Sequence, residues 1–306
     1  MRGNVLAIAV QLSGLVLAPL LPGVIQTIKA RLQGRVGTSP LQPYRDLRRL
    51  WGKRSVAPHD STYVYRLAPS LSAAALACAV LVAPIGASTI GWLGSDMLVL
   101  IGLLALARFS TAAAAWDPGG GFSLMGAGRD LMFSVFAEPL LLLAFVLVAI
   151  GSHSTDLVQM VAAAGDPHVA TLPAHWCAAL AFGLVVLVET GRQPIDNPDT
   201  HLELTMVHEG PLLEYAGRDL AMLQWTAAAR HWLMLVLAVT FFVPMPATVP
   251  WNLLTLALGV AGLCALVALV ETSLAKMRIL RVPVLLGAGV ATCMIGLASW
   301  IAQGAL

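Results

Sequence analysis

"RDLMFSVFAEPLLLLAFVLVAI" (residues 129–150) decides the fold. After its first two residues it runs for twenty positions with a single ionisable side chain, Glu138. An apolar helix of about 20 residues is what a hydrocarbon core of roughly 30 Å requires. Similar runs recur along the chain, so the stretch is one of a set. The spans expected from hydropathy cover residues 5–28, 68–91, 96–116, 129–151, 171–189, 219–245, 251–271 and 281–303. The first is long for a signal peptide and lacks a small-x-small cleavage site, which predicts a retained helix kinked near its end by Pro19 and Pro22.

Composition agrees. Of 306 residues, 58% are hydrophobic and only 11% charged, against about 25% charged in soluble domains. The expected fold is all-α: a single integral membrane domain, polytopic, with about eight transmembrane helices. Cys78, Cys177, Cys264 and Cys293 each fall singly within apolar spans, which predicts small buried hydrophobes and no cluster or zinc held by this chain alone.

Basic residues alternate between connections. Lys29, Arg31, Arg35, Arg45, Arg48, Arg49, Lys53, Arg54 and Arg66 follow the first span, and Arg129, then Arg192 and Arg218, then Lys276, Arg278 and Arg281 mark later ones. The connections near 86–95, 152–170 and 246–250 have no Lys or Arg. The positive-inside rule then puts both termini outside and the wide loops in the cytoplasm. Within the first loop, Leu41, Tyr44, Leu47, Leu50 and Trp51 fall at helical spacing among Arg45, Arg48, Arg49, Lys53 and Arg54. That pattern suits an amphipathic interfacial helix, either an anchor for anionic lipid or a docking surface for a cytoplasmic partner, and the two are compatible.

The charge-poor chain concentrates its acids. Residues 189–219 hold Glu189, Asp196, Asp199, Glu203, Glu209, Glu214 and Asp219, seven of sixteen carboxylates, with His201, His208, Arg192 and Arg218. Pro194, Pro198 and Pro211 break any continuous helix and Gly191, Gly210 and Gly217 permit turns, so a folded, partly re-entrant cytoplasmic loop is expected. Its apolar residues argue for partial burial over a merely solvated surface. Arg108, Asp130, Glu138, Arg230 and Glu271 lie within or beside spans, where a charge is costly and marks a polar interior or a pathway. Such a chain of groups has the composition of a proton relay. His201, Glu203, His208 and Glu209 lack metalloprotease spacing, and no nucleophile elbow, Walker loop or dinucleotide fingerprint occurs. "DPGGG" (residues 117–121) reads as a flexible turn between spans.

Four stretches carry a family resemblance. "GRVGTSPLQPYRDLRRLW" (34–51) and "ETGRQPIDNPDTHLELTMVHEGPLLEYAGRDLA" (189–221) resemble the first cytoplasmic loop and the acidic loop of the complex I membrane subunit 1 family. "YRLAPSLS" (65–72) and "RDLMFSVFAEP" (129–139) resemble that family's second and fourth helices. Within the family, the acidic loop is most similar to membrane subunits of group 4 [NiFe] hydrogenases of the formate hydrogenlyase type.

The resemblance implies a membrane-anchoring, energy-coupling subunit without a redox centre of its own. It implies an iron–sulfur small subunit and a nickel–iron large subunit on the cytoplasmic side, an antiporter-like membrane neighbour, and a place in the inner (cytoplasmic) membrane. It assigns Arg35 to the first-loop turn, Glu189, Arg192, Asp196, Glu203, Glu214 and Tyr215 to the acidic loop, and Glu138 to an intramembrane relay. Glu209, Arg218 and Glu271 join on chemistry and local likeness, while Arg108 and Arg230 serve as counter-ions to unspecified acids or as structural salt bridges. A quinone-cavity subunit of respiratory complex I shares the fold and is the alternative. A stand-alone carrier and a purely structural anchor are the others.

Overall fold

The computed structural model describes residues 2–85, 94–196, 206–246 and 248–304. Among them the regular structure is helical. The helices are α1 (Arg2–Leu17), α2 (Leu20–Leu32), α3 (Gln42–Trp51), α4 (Tyr63–Val82), α5 (Met97–Trp116) and α6 (Gly121–Ser152), then α7 (Leu157–Ala164), α8 (Pro167–Thr171), α9 (Pro173–Glu189), α10 (Gly217–Phe242), α11 (Val249–Ser273) and α12 (Val282–Ala302). Six are long and apolar enough to cross a membrane: α4, α5, α6, α10, α11 and α12. The α1–α2 pair passes the same test only as one bent span, and α9 is apolar but shorter. The chain is a polytopic membrane protein.

The expected first span is therefore two helices, bent by 50°. The cause is local. Pro19 has no N–H for the Leu15 carbonyl, and an unpaired carbonyl in a membrane is costly. Trp225 Nε1 donates to that carbonyl at 3.2 Å. The Tyr44 hydroxyl donates to the neighbouring Val16 carbonyl at 2.6 Å. Side chains from α10 and α3 thus satisfy the bend.

The α10 helix is the centre of the bundle, two-thirds buried over its apolar window against 22% for α11 and 28% for α12. Phe145 of α6 packs edge-on to both Phe182 of α9 and Phe241 of α10, with ring centroids 5.9 and 5.4 Å apart. Such edge-to-face pairs add about 0.5–1.5 kcal/mol each beyond area burial. At one end of the bundle, Asp96 caps α5 through Leu98 N and accepts from Thr155 Oγ1 at 2.7 Å, tying two connections together. The short helices α7 and α8, which hydropathy did not suggest, fill the connection between α6 and α9.

Three expectations need correction. Cys78 is exposed on α4 rather than buried, whereas Cys264 and Cys293 are buried and Cys177 partly so. The amphipathic helix ends at Trp51, so Lys53 and Arg54 lie beyond it. The "DPGGG" turn is pinned, because Asp117 accepts from Thr62 N and Oγ1 at 2.5 and 2.6 Å.

Candidate functional site

The α9 helix ends where the acidic loop begins. Arg192 N donates back to the Leu187 carbonyl at 2.9 Å, and Ile195 N and Asp196 N donate to the Arg192 carbonyl, closing a tight turn. Gly191 stands in it at φ +60°, and a Cβ there would come within 2.8 Å of His208 Nδ1. Glycine thus serves both the backbone and the histidine. The loop returns beside α6, where Gly126 and Gly210 are so close that a Cβ on either would lie within 2.7 Å of the other's backbone.

This folding aligns seven charges of alternating sign. Lys276 Nζ is 3.0 Å from Asp196 Oδ1, and Asp196 Oδ2 is 3.4 Å from His208 Nδ1. His208 Nε2 lies 3.6 Å from Asp130 Oδ1, and Asp130 Oδ2 lies 3.7 Å from Arg108 Nε. Arg108 Nη1 is 2.9 Å from Glu189 Oε1, an ion pair out of hydrogen-bonding alignment. Arg230 Nη1 closes the row with a 2.6 Å bond to Glu189 Oε2, while its Nη2 donates to the Leu104 carbonyl. Each carboxylate stands between two bases, the arrangement that offsets the cost of burying charge.

Electrostatics at the loop end follow from the pairing. Burial alone would raise the Asp196 pKa, but the His208 hydrogen bond, with the charges of His208 and Lys276, holds it well below the usual carboxylate range. Burial alone would lower that of His208, yet Asp196 and Asp130 outweigh it and raise the value above 6.5. The two shifts agree on a charged pair.

A second cluster lies beside the first. Glu271 of α11 accepts from Arg192 Nη1 at 3.2 Å and lies 3.4 Å from Lys29 Nζ of α2, all three side chains being buried. Arg192 Nη2 is 3.2 Å from His231 Nδ1. Arginine only donates, so Nδ1 accepts and the ring proton sits on Nε2, which has no hydrogen-bond partner among the described residues.

A cleft of about 500 Å³, whose lining includes Arg192, Asp196, His208, Glu209, Tyr215 and His231, opens beside both clusters. A smaller cavity of about 120 Å³ borders Arg108, Asp130, Glu189 and Arg230. The two share Thr190, His208, Leu212 and Ala227, so the histidine stands on the boundary between them.

The structure therefore brings together Glu189, Asp196, Arg192, Arg108, Arg230 and Glu271 from the residues expected of the site. Glu138 is half-buried on α6, within the electrostatic reach of Arg108, Glu189, Arg230 and Asp130 but in no ion pair with them. Glu203, with Asp199 and His201, lies outside the described residues. The Glu214 carbonyl accepts from the Tyr65 hydroxyl at 2.6 Å, and Arg218 Nε donates to the Trp51 carbonyl at 3.3 Å. Arg35 is exposed and reaches the Gln33 side chain. Arg45, Arg48 and Arg49 lie on α3, away from the charge row. Sequence reasoning did not assign Lys29, His208, His231, Lys276 or Tyr65 to the site. In the sequence, Asp130 reads only as a charge beside a span.

A family model described as NADH dehydrogenase matches residues 4–300. The chain belongs to the NADH dehydrogenase family. This family member is 31% identical to formate hydrogenlyase subunit 4 of Escherichia coli (strain K12), over 93% of this chain and 94% of the relative. It is also 31% identical to hydrogenase-4 component C of the same organism, over 88% and 86%. An NADH-quinone oxidoreductase subunit of Syntrophotalea carbinolica is 28% identical over 64% of this chain and 63% of that protein. A chain of the archaeal membrane-bound sulfane sulfur reductase shares the fold, with a TM-score of 0.82 at 20% identity, over 97% of this chain and 98% of that one. The relatives are subunits of multi-subunit membrane complexes.

Proposed function

We propose that this chain is the membrane-anchoring and energy-coupling subunit of a group 4 membrane-bound [NiFe] hydrogenase of the formate hydrogenlyase type. The observation that carries the reading is the alternating row from Lys276 to Arg230. It begins at Lys276 on the connection after α11, enters the acidic loop at Asp196, where a cytoplasmic arm would dock, and ends on the central helix. A change of charge at the loop would be felt at Asp196 and His208, then at Asp130 and Glu189, and at Glu138 beyond them. Near-full-length likeness to two hydrogenase components supports the same reading.

In this reading the iron–sulfur clusters and the nickel–iron centre belong to a small and a large subunit on the cytoplasmic face. An antiporter-like subunit lies alongside in the inner membrane, and both termini face outward. The 500 Å³ cleft favours one second reading, a quinone-cavity subunit of respiratory complex I. Purifying the tagged chain in mild detergent separates the two. Co-purifying nickel, iron and a hydrogenase large subunit are expected. Iron without nickel, with flavin and quinone-linked subunits, would move the assignment to complex I. A metal-free homo-oligomer would overturn both.

A further inference from the structure

A second large cavity lies away from the charges. About 610 Å³ of space separates α9 from α11, floored by α10 and lined almost wholly by hydrocarbon. Gly183 of α9 and Gly262 of α11 both line it, and a Cβ built on either meets no atom within 4 Å. Glycine within a helix is unfavourable relative to alanine, so two glycines here keep a groove open at a cost to helix stability. At Gly259 α11 packs closely on α10, against Val239. The lining along α11 runs from Gly259 to Val270, a rise of about 17 Å, close to the roughly 15 Å of hydrocarbon in one leaflet. With no polar partners, water has no reason to fill it.

A basic connection follows the groove's end on α11. Beyond Val270 the chain leaves α11 through residues 274–281 and enters α12, which packs against α9, so this connection passes from one wall of the groove toward the other. Met277 N anchors it by donating to the Pro194 carbonyl at 2.7 Å. Arg278 and Arg281 are exposed on it and pair with no carboxylate among the described residues. Exposed basic residues on a connection that runs between the ends of the two walls of an interhelical groove suit an anionic lipid headgroup.

We propose that this groove binds an anionic phospholipid, with an acyl chain between α9 and α11 and its phosphate on Arg278 and Arg281. The inference rests on no part of the coupling reading. The test is lipid extraction and mass spectrometry of the tagged chain purified in mild detergent with its accompanying subunits. Wild type is expected to retain anionic phospholipid through delipidating washes and to regain it from phosphatidylglycerol vesicles but not from phosphatidylcholine ones. Gly262→Phe and Gly183→Phe, which fill space already empty, are expected to abolish retention. Arg278→Gln and Arg281→Gln are expected to weaken rebinding of phosphatidylglycerol about fivefold each, and these surface changes keep the test open should a phenylalanine variant misfold. Equal retention in all variants, or no preference for the anionic lipid, would overturn the proposal. So would loss of an accompanying membrane subunit from Gly262→Phe with its lipid unchanged, since a partner helix would then be the occupant.

Discussion

Tyr65 of α4 and Tyr215 of the acidic loop clasp each other. Their rings stack with centroids 4.2 Å apart and planes within 5°. The Tyr65 hydroxyl donates to the Glu214 carbonyl at 2.6 Å, and the Tyr215 hydroxyl donates to the Tyr65 carbonyl at 2.8 Å. The end of the loop is thereby fastened to a membrane helix by a reciprocal pair.

Breaking that clasp in two steps separates its parts. Tyr215→Phe keeps the stack and removes one hydrogen bond, a loss of about 1 kcal/mol. Tyr215→Ala removes the ring as well and is expected to cost about 3–5 kcal/mol. The thermal midpoint of the purified protein and the rate of limited proteolysis near residues 206–216 measure both. Equal behaviour of the two variants would show that the stacking contributes nothing.

The pH dependence of stability should bear the signature of His208. Its pKa is raised on folding, so its stabilisation is complete below about 6.5 and fades as pH climbs through the higher folded value. Asp196 is shifted downward, so its contribution holds above its ordinary 3.8 and is lost only as pH falls well below it. Thermal stability is expected to decline from near neutral into the alkaline range in wild type, and to do so less steeply in His208→Gln. Parallel profiles would show that the histidine does not carry the dependence.

Glu189 between two arginines makes a sharper case. Arg230→Met leaves Glu189 with Arg108 alone and frees the Leu104 carbonyl. Removing one member of a buried ion pair typically costs about 3–5 kcal/mol, and the yield of assembled complex should fall accordingly. Pairing Arg230→Met with Glu189→Gln is expected to cost less than the two single changes summed, since the bond between these side chains is lost only once. Additive losses in yield and thermal midpoint would indicate that the two side chains are not coupled.

Glu138 lacks such a grip, and that makes its neutralisation informative. Glu138→Gln removes a charge that no ion pair holds among the described residues, so assembly should survive while turnover or coupled proton movement falls about tenfold or more, in keeping with loss of a proton-transfer group. Wild-type turnover and proton movement in the assembled variant would remove Glu138 from the relay.

Much of this was legible in the sequence because membranes impose simple rules. The apolar run around Phe145 had to be a helix, Pro19 had to disturb the first span, and the prolines and glycines of the acidic loop had to fold it into turns. Arg108 and Arg230 were visible as counter-ions, but helix rotation and depth decide which acid they meet, and Glu189 is one that both share. Lys29 reads as one more positive charge in a basic loop, yet its ammonium is buried against Glu271 of α11. His208 offered only a metal-like neighbourhood in sequence, because its partners Asp130 and Asp196 lie on separate segments. Long-range pairings of this kind leave no periodic trace. The break after α1 was foreseeable, whereas Trp225 and Tyr44, which satisfy its carbonyls, come from elements distant in the chain.

The shortness of α9 has an electrical consequence. Its 17 residues rise about 26 Å, less than the roughly 30 Å of hydrocarbon, and its last residue already borders a polar cavity. A membrane voltage drops across insulating material. Moving one elementary charge through 100 mV involves about 2.3 kcal/mol, and a charge carried along α9 to Glu189 would meet that work over about 26 Å rather than about 30 Å.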